Sequence, residues 1–212
     1  ETLVTLKPRR GPRSPVERKA ATAGLRLATA LSGPDEIAGS ARTVAGRYLV
    51  DLEQPLVRSV NGALYRAWDR RAERPVLIKS RRGASFSARE EHILRSLSGL
   101  PVVPALWDAL TVSESRWLVL EPLPGHGIGS RARCDVLPVG DALACADSVL
   151  TALEALHALG FVHGDVHPLN VLRHPSTGRS WLVDFELAVP LDDTRSWEGE
   201  IYWGLWEYVP PE

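Results

Sequence analysis

A chain of 212 residues is long enough for one lobed domain with a sizeable core, and 44% hydrophobic with 24% charged residues is the balance of an ordinary globular protein. A formal net charge of -1 excludes broad electrostatic binding to nucleic acid or to an anionic membrane, so partners have to be met at local sites. Two cysteines, Cys134 and Cys145, lack metal-ligand spacing and are too few for a disulfide scaffold, and no apolar run reaches the length of a membrane span; a reducing, cytoplasmic setting is expected.

Residues 1 to about 13, rich in Arg, Lys, Pro and Gly, read as a basic linker. Ser14-Pro15-Val16-Glu17 has the form of a helix start, with Ser14 as N-cap, Pro15 in the first helical position and Glu17 closing a capping box. That helix is expected to run to about Leu31, where Ser32-Gly33-Pro34 stops it. Residues 33 to about 46 form the expected boundary, which divides the chain into a linker with a short helix, 1–46, and a main unit, 47–212. The start at Glu1 and the absence of methionine predict a segment of a longer chain with flanking domains.

From Arg47 to Ile78 the pattern is one of strands: Tyr48 to Val50, Val57 to Trp68, a polar turn at Asp69 to Arg74, and Pro75 to Ile78, which ends on Lys79. Taken alone, Asn61-Gly62 is the turn of an ordinary hairpin and Lys79 is a lysine entering a loop. Glu90 to Leu97 reads as a helix with Ile93, Leu94 and Leu97 on its inner face. The same spacing turns Glu90 inward, where a carboxylate requires a cation; otherwise it is a solvated helix charge no different from Glu91. Val102 to Leu110 and Arg116 to Leu120 read as two further strands, and Glu121-Pro122-Leu123-Pro124-Gly125 breaks the pattern as a proline-stiffened turn between lobes. Gly140 to Leu159 places Leu143, Ala146, Leu150, Leu153 and Leu156 at the spacing of a core helix, with Gly160 as its stop. Val171-Leu172 and Trp181 to Val183 then flank a turn at Pro175 to Gly178 as a small hairpin. An acidic, aromatic tail carries Trp197, Trp203 and Trp206 to Pro210-Pro211-Glu212.

The chemistry is concentrated after Gly160, where the chain presents Asp165, Asn170 five residues later, and Asp184 at the end of the hairpin. Phosphoryl transfer from ATP needs such a set: an aspartate takes the proton of the attacking hydroxyl, while an amide and a second carboxylate hold magnesium. The order H-x-D-x-x-x-x-N followed by D-F-x resembles the catalytic and metal loops of the protein-kinase fold; a polar turn without chemistry is the alternative. The resemblance extends from Arg47 to Glu212. It implies an α+β, two-lobed fold with a small antiparallel-sheet N-lobe over 47–121, a hinge at 121–125, and a truncated helical C-lobe over 126–212 ending at the P-E motif. It also implies ATP and Mg2+ as cofactors, with Asp165, Lys79 and Glu90 as catalytic residues and Asn170 and Asp184 on the metal. Val57, Ser59, Gly62 and Leu64 fall in register with the glycine-rich loop, and Lys79 and His167 belong to the nucleotide side. Leu120 would guard the adenine pocket, and the backbone from Glu121 to Leu123 would meet the base.

Four positions depart from the family pattern. Only the third glycine of the glycine-rich loop is kept, Gly164 replaces the arginine of H-R-D, His167 stands where many protein kinases carry lysine, and Glu186 replaces the glycine of D-F-G. Lys79, Asp165, Asn170 and Asp184 are all spared. The H-G-D form is similar to aminoglycoside phosphotransferases. Ser59-Val-Asn-Gly-Ala-Leu-Tyr-Arg-Ala67, Gly164-Asp-Val-His-Pro-Leu-Asn-Val171 and Asp184-Phe-Glu186 more closely resemble the central kinase domain of class III lanthipeptide synthetases, which phosphorylates Ser and Thr of a precursor peptide. The resemblance therefore implies a Ser/Thr phosphotransferase with a peptide or protein substrate. A small-molecule kinase of the aminoglycoside type is a second possibility, opposed by the short hairpin ending in D-F-E and by the closing Pro-Pro-Glu. A non-catalytic nucleotide-binding or scaffold module is a third, favoured by the degenerate glycine loop and the short C-lobe.

Overall fold

The structure, a computed structural model, describes residues 33–192 apart from 38–39, 59–61, 83, 114, 131–132 and 135. The expected helix from Ser14 to Leu31, the turn containing Ser59 and Asn61, and the aromatic tail to Glu212 lie outside the described residues.

After a short 3-10 turn at Pro34–Glu36 come β1 (Arg42–Val44), β2 (Tyr48–Val50), β3 (Val57–Arg58), β4 (Gly62–Asp69) and β5 (Arg74–Arg82). Helix α1 (Ala84–Ser96) follows, then β6 (Leu106–Val112) and β7 (Ser115–Leu120). These strands make one antiparallel sheet in the order β1-β2-β4-β5-β7-β6, with β3 also on β4. The β4–β5 turn is set by Asp69, whose carboxylate accepts from the Arg71 and Ala72 amides in the manner of an Asx turn.

Alternation along β5 gives the sheet two different faces. Val76 and Ile78 point into an outer core with Tyr48, Val50, Tyr65, Ala67, Trp117 and Val119. Leu77 points the other way, toward α1 and the rest of the chain, joining Ile93, Leu94, Leu118, Leu120 and Phe185. A period of two then puts Lys79 and Arg81 on that same inner face.

The second lobe holds β8 (His126–Gly127), β9 (Gly129–Ser130), β10 (Arg133–Cys134), helix α2 (Val139–Ala158), β11 (Phe161–Val162), β12 (Val171–Arg173), β13 (Ser180–Leu182), a 3-10 turn at Phe185–Leu187, and β14 (Val189–Pro190). The β12–β13 hairpin is the one expected; β8 pairs on its other edge, and β11 pairs with β14. The two described α-helices, a curled antiparallel sheet and the hairpin lobe agree with the expected α+β, two-lobed architecture.

Three expectations need correction. Strand β1 falls within the stretch read as a boundary, because a three-residue strand closed by left-handed Ala45 and Gly46 carries little turn signal in its sequence. The strand expected from Val102 starts at Leu106, since Pro101 and Pro104 interrupt the ladder and Val103 turns back to the Leu100 carbonyl. On α2 the inward side is Cys145, Ala152 and Leu156, whereas Leu143 and Leu150 are 66% and 64% exposed. The helix lies against β13, and the buried Trp181 and Leu182 there leave room for small side chains rather than for a leucine stripe.

Candidate active site

Strand β5 delivers Lys79 to the cleft side, and α1 presents Glu90 opposite it. Lys79 Nζ donates to Glu90 Oε1 at 2.7 Å and to Asp184 Oδ1 at 2.6 Å, and lies 3.2 Å from Glu186 Oε2. Glu90 is 2% exposed, which excludes the solvated-charge alternative: a carboxylate so buried requires a cation, and Lys79 supplies it. Its neighbour Glu91 points elsewhere, to Arg116 and Arg95. Burial alone would lower the Lys79 pKa, but the carboxylates of Asp184, Glu90 and Glu186 outweigh it and raise it. Burial raises the Glu90 pKa, offset in part by Lys79. For Asp184 the burial penalty is overcome by Lys79 and the carboxyl is held below the usual carboxylate range. Helix α1 is tied to the segment after Asp184 a second time, by Arg89 Nη1 donating to the Ala188 carbonyl at 2.9 Å.

Asp184 has φ 69 and ψ 72, the left-handed region that Asp tolerates better than most residues. Such strain persists where the surroundings determine it, and here the Lys79 contact and buried Phe185 do so. Phe185 packs at 5.0 Å against the ring of His163. The His163 tautomer follows from its partners: the Asp165 amide donates to Nδ1 at 3.3 Å, so Nε2 carries the proton toward the Val183 carbonyl at 3.3 Å. Burial holds its pKa below the ordinary value, in keeping with a neutral ring.

The loop after β11 is built around Asp165. Asn170 Nδ2 donates to both the Asp165 carbonyl and Asp165 Oδ2, each at 3.0 Å. With both amide hydrogens spent, Asn170 Oδ1 is turned away from Asp165 as an oxygen donor. His167 accepts from the Leu169 amide at Nδ1, which leaves Nε2–H to donate to Asp165 Oδ2 at 3.2 Å. Two donors therefore hold Oδ2, and neither engages Oδ1. His167, expected on the nucleotide side, is bonded to Asp165. Gly164 has φ +78, and a Cβ on it would lie 2.6 Å from the Leu187 carbonyl oxygen. The missing arginine of H-R-D thus has a local cause, because no side chain fits between the two loops.

On the nucleotide side, Val57 and Leu64 face each other across β3 and β4, and Leu64 is also paired with Lys79. Ser59 lies outside the described residues. Gly62 opens β4 against Arg81, and a Cβ there would meet the Ser80 carbonyl oxygen at 2.1 Å, so close strand approach already demands glycine. Leu120 is buried at the end of β7, paired with Leu77. Beyond it the Glu121 amide donates to the Ala105 carbonyl and the Leu123 carbonyl accepts from Gly125. Pro122 has no amide hydrogen and the Glu121 amide is spent on Ala105, which leaves the Leu123 amide as the other backbone donor of Glu121 to Leu123.

The donor set suits magnesium: Asp184 gives Oδ1 to Lys79 and keeps Oδ2, Asn170 keeps Oδ1, and both are the hard oxygens that this ion takes. Sequence reasoning missed Arg81, a buried guanidinium two residues beyond Lys79, and gave no account of Glu186. The signal for the first was the alternation of β5, which puts positions 79 and 81 on one face.

A family model described as the protein kinase domain matches residues 60–212. Among curated proteins the chain is similar to the serine/threonine-protein kinase PknA of Mycobacterium tuberculosis, 29% identical over 184 residues, covering 80% of this chain and 42% of that protein. A serine/threonine-protein kinase of Arabidopsis thaliana is 32% identical over 115 residues, 53% of this chain and 20% of the relative. The O-antigen chain terminator bifunctional methyltransferase/kinase WbdD of Escherichia coli is 32% identical over 136 residues, 59% of this chain and 18% of the relative. The chain therefore spans less than half the length of these curated relatives.

Proposed function

The chain belongs to the protein kinase family, and from that premise we propose that it transfers the γ-phosphoryl group of ATP to a serine or threonine hydroxyl of a peptide or protein, with magnesium. The observation that carries this reading is the convergence at Lys79 of Glu90 from α1 and Asp184 from the metal loop, with Asp165 and Asn170 bonded to each other beside it. Asp165 Oδ1 takes the proton of the attacking hydroxyl as its oxygen bonds to phosphorus and the bond to the ADP oxygen breaks. Lys79, held by Glu90, orients the nucleotide phosphates. Asp184 and Asn170 would hold Mg2+, which when bound neutralises charge on the phosphate oxygens. The Glu121 carbonyl and Leu123 amide are suited to the adenine edge.

For the acceptor, we propose a ribosomally made precursor peptide processed in the cytoplasm, on the likeness of the Gly164–Val171 and Asp184–Glu186 phrases to class III lanthipeptide synthetase kinase domains. Among the described residues no helix is long and apolar enough to cross a membrane. A non-protein acceptor is the second reading, favoured by the similarity to WbdD. Radiolabelled ATP with Mg2+ and a panel of serine-containing peptides, with sugar acceptors in parallel, tests both. Asp165→Asn is expected to abolish transfer while leaving Mg·ATP affinity within about 3-fold, since a general base acts on the hydroxyl and not on the nucleotide. Wild-type turnover in Asp165→Asn would refute the mechanism.

A further inference from the structure

Position 186, where a glycine is usual, carries a glutamate whose Oε2 lies 2.7 Å from Arg81 Nη1 and 3.2 Å from Lys79 Nζ. We propose that Arg81 and Glu186 are a positioning pair that clasps the metal loop to the sheet and so holds Asp184 and Lys79 in working register. The inference rests on the phosphotransferase reading.

Arg81 is 6% exposed, and a guanidinium stays charged at any accessible pH, so a carboxylate has to accompany it into the interior. Glu186 is the carboxylate at ion-pair distance. Arg81 Nη1 is off the hydrogen-bonding direction, which makes the contact one of charge rather than of aligned donor and acceptor. Because Lys79 and Arg81 share a face of β5, one oxygen of Glu186 bridges two cations of the small lobe from a loop of the second one. The pair adds one positive and one negative charge, so the net charge met by phosphates and magnesium is unchanged. A glycine here would leave the backbone after left-handed Asp184 free to take several conformations, whereas a tethered glutamate in the Phe185–Leu187 turn selects one.

The test uses the full chain and five variants: Arg81→Gln, Glu186→Gln, the double variant, Glu186→Gly and Arg81→Lys. Hydrogen exchange of the backbone amides from Asp184 to Ala188 is followed without nucleotide, and kcat and KM for Mg·ATP are measured with a serine-rich peptide as acceptor. Each single variant should speed exchange at these amides about 10-fold and lower kcat/KM for Mg·ATP by about the same factor, with KM for the peptide unchanged. The double variant should be no worse than Glu186→Gln, which by itself already removes the contacts to both Arg81 and Lys79. Arg81→Lys, which keeps the charge, should retain exchange protection and guards against simple misfolding of Arg81→Gln. Additive losses, Glu186→Gly behaving as wild type, or a changed Mg2+ requirement in Glu186→Gln with Arg81→Gln neutral would each overturn the pair. Absent turnover in wild type with the exchange pattern intact would count against the kinase reading and not against the clasp.

Discussion

Replacing Gly164 by alanine tests how the two functional loops constrain each other. A left-handed backbone at φ +78 costs a non-glycine residue about 1–2 kcal/mol. The added Cβ would lie 2.6 Å from the Leu187 carbonyl oxygen, a backbone atom with no flexible side chain to yield. Relieving such overpacking costs about 1–3 kcal/mol more. A total of roughly 2–5 kcal/mol, at about 2–4 °C per kcal/mol for a chain of this size, corresponds to a melting temperature lower by about 4–20 °C. Relief has to move either Asp165, the next residue, or the turn that carries Asp184, and a displacement of about 1 Å in a catalytic group costs on the order of 100-fold in rate. Thermal unfolding by circular dichroism and peptide phosphorylation at saturating Mg·ATP measure the two effects. Gly164→Arg, which restores the common kinase residue, should be worse than Gly164→Ala. A Gly164→Ala protein that melts within about 1 °C of wild type and keeps its kcat would show that the loops are not in the contact described.

His167→Gln should lower kcat about 10-fold with little change in KM for Mg·ATP, as expected of a group bonded to Asp165 Oδ2; a pure KM effect would return His167 to the nucleotide side. Asp69→Asn should destabilise the small lobe by about 1–3 kcal/mol at pH 7, as measured by urea unfolding, since it loses charge-assisted bonds from Arg47. The Arg47 hydrogen bond holds the Asp69 carboxyl below its usual range, outweighing burial. Its contribution is therefore present above the unfolded value of about pH 3.9 and is lost as pH falls through the lower folded one, so the difference between wild type and Asp69→Asn should shrink in that acid window. Replacing Thr194 and Ser196 by alanine and Tyr202 and Tyr208 by phenylalanine, all outside the described residues, should leave peptide phosphorylation intact. Gly164 cannot contribute to an arginine pocket that would receive a phosphate, and an acidic substitution rescuing lost activity would contradict this.

Much of the small lobe was legible because its strands alternate cleanly. The pattern from Tyr65 to Ile78 gave strand, turn and strand, and the spacing of Glu90 with Ile93, Leu94 and Leu97 gave the inward carboxylate before its cation was located. The order Asp165, Asn170, Asp184 was readable because the chemistry restricts residue types at fixed offsets. What failed depended on shape. Hydrophobicity picked Leu143 and Leu150 as the inner face of α2, but the side buried in the fold is Cys145, Ala152 and Leu156. Gly62 matched a phosphate-loop glycine while strand approach at Ser80 gives it a separate reason to be there. His167 was read from its place where many protein kinases carry lysine, and its bond to Asp165 could not be read from that likeness. Arg81 could be placed on the Lys79 face by the alternation of β5, but its burial showed only once its carboxylate was found across the cleft.

The three carboxylates around Lys79 also bear on covalent chemistry at this residue. An amine attacks acyl, sulfonyl or aldehyde carbon and sulfur centres through its lone pair, and a fully protonated ammonium has none to offer. With Glu90, Asp184 and Glu186 at 2.7, 2.6 and 3.2 Å, Lys79 holds its proton far more tightly than a free lysine. Nucleotide mimics that carry a lysine-directed electrophile should therefore react sluggishly here, however well they seat. Removing one of those acids, as in Glu186→Gln, should quicken the labelling even while it impairs turnover, so that reactivity toward the probe and catalytic competence move in opposite directions.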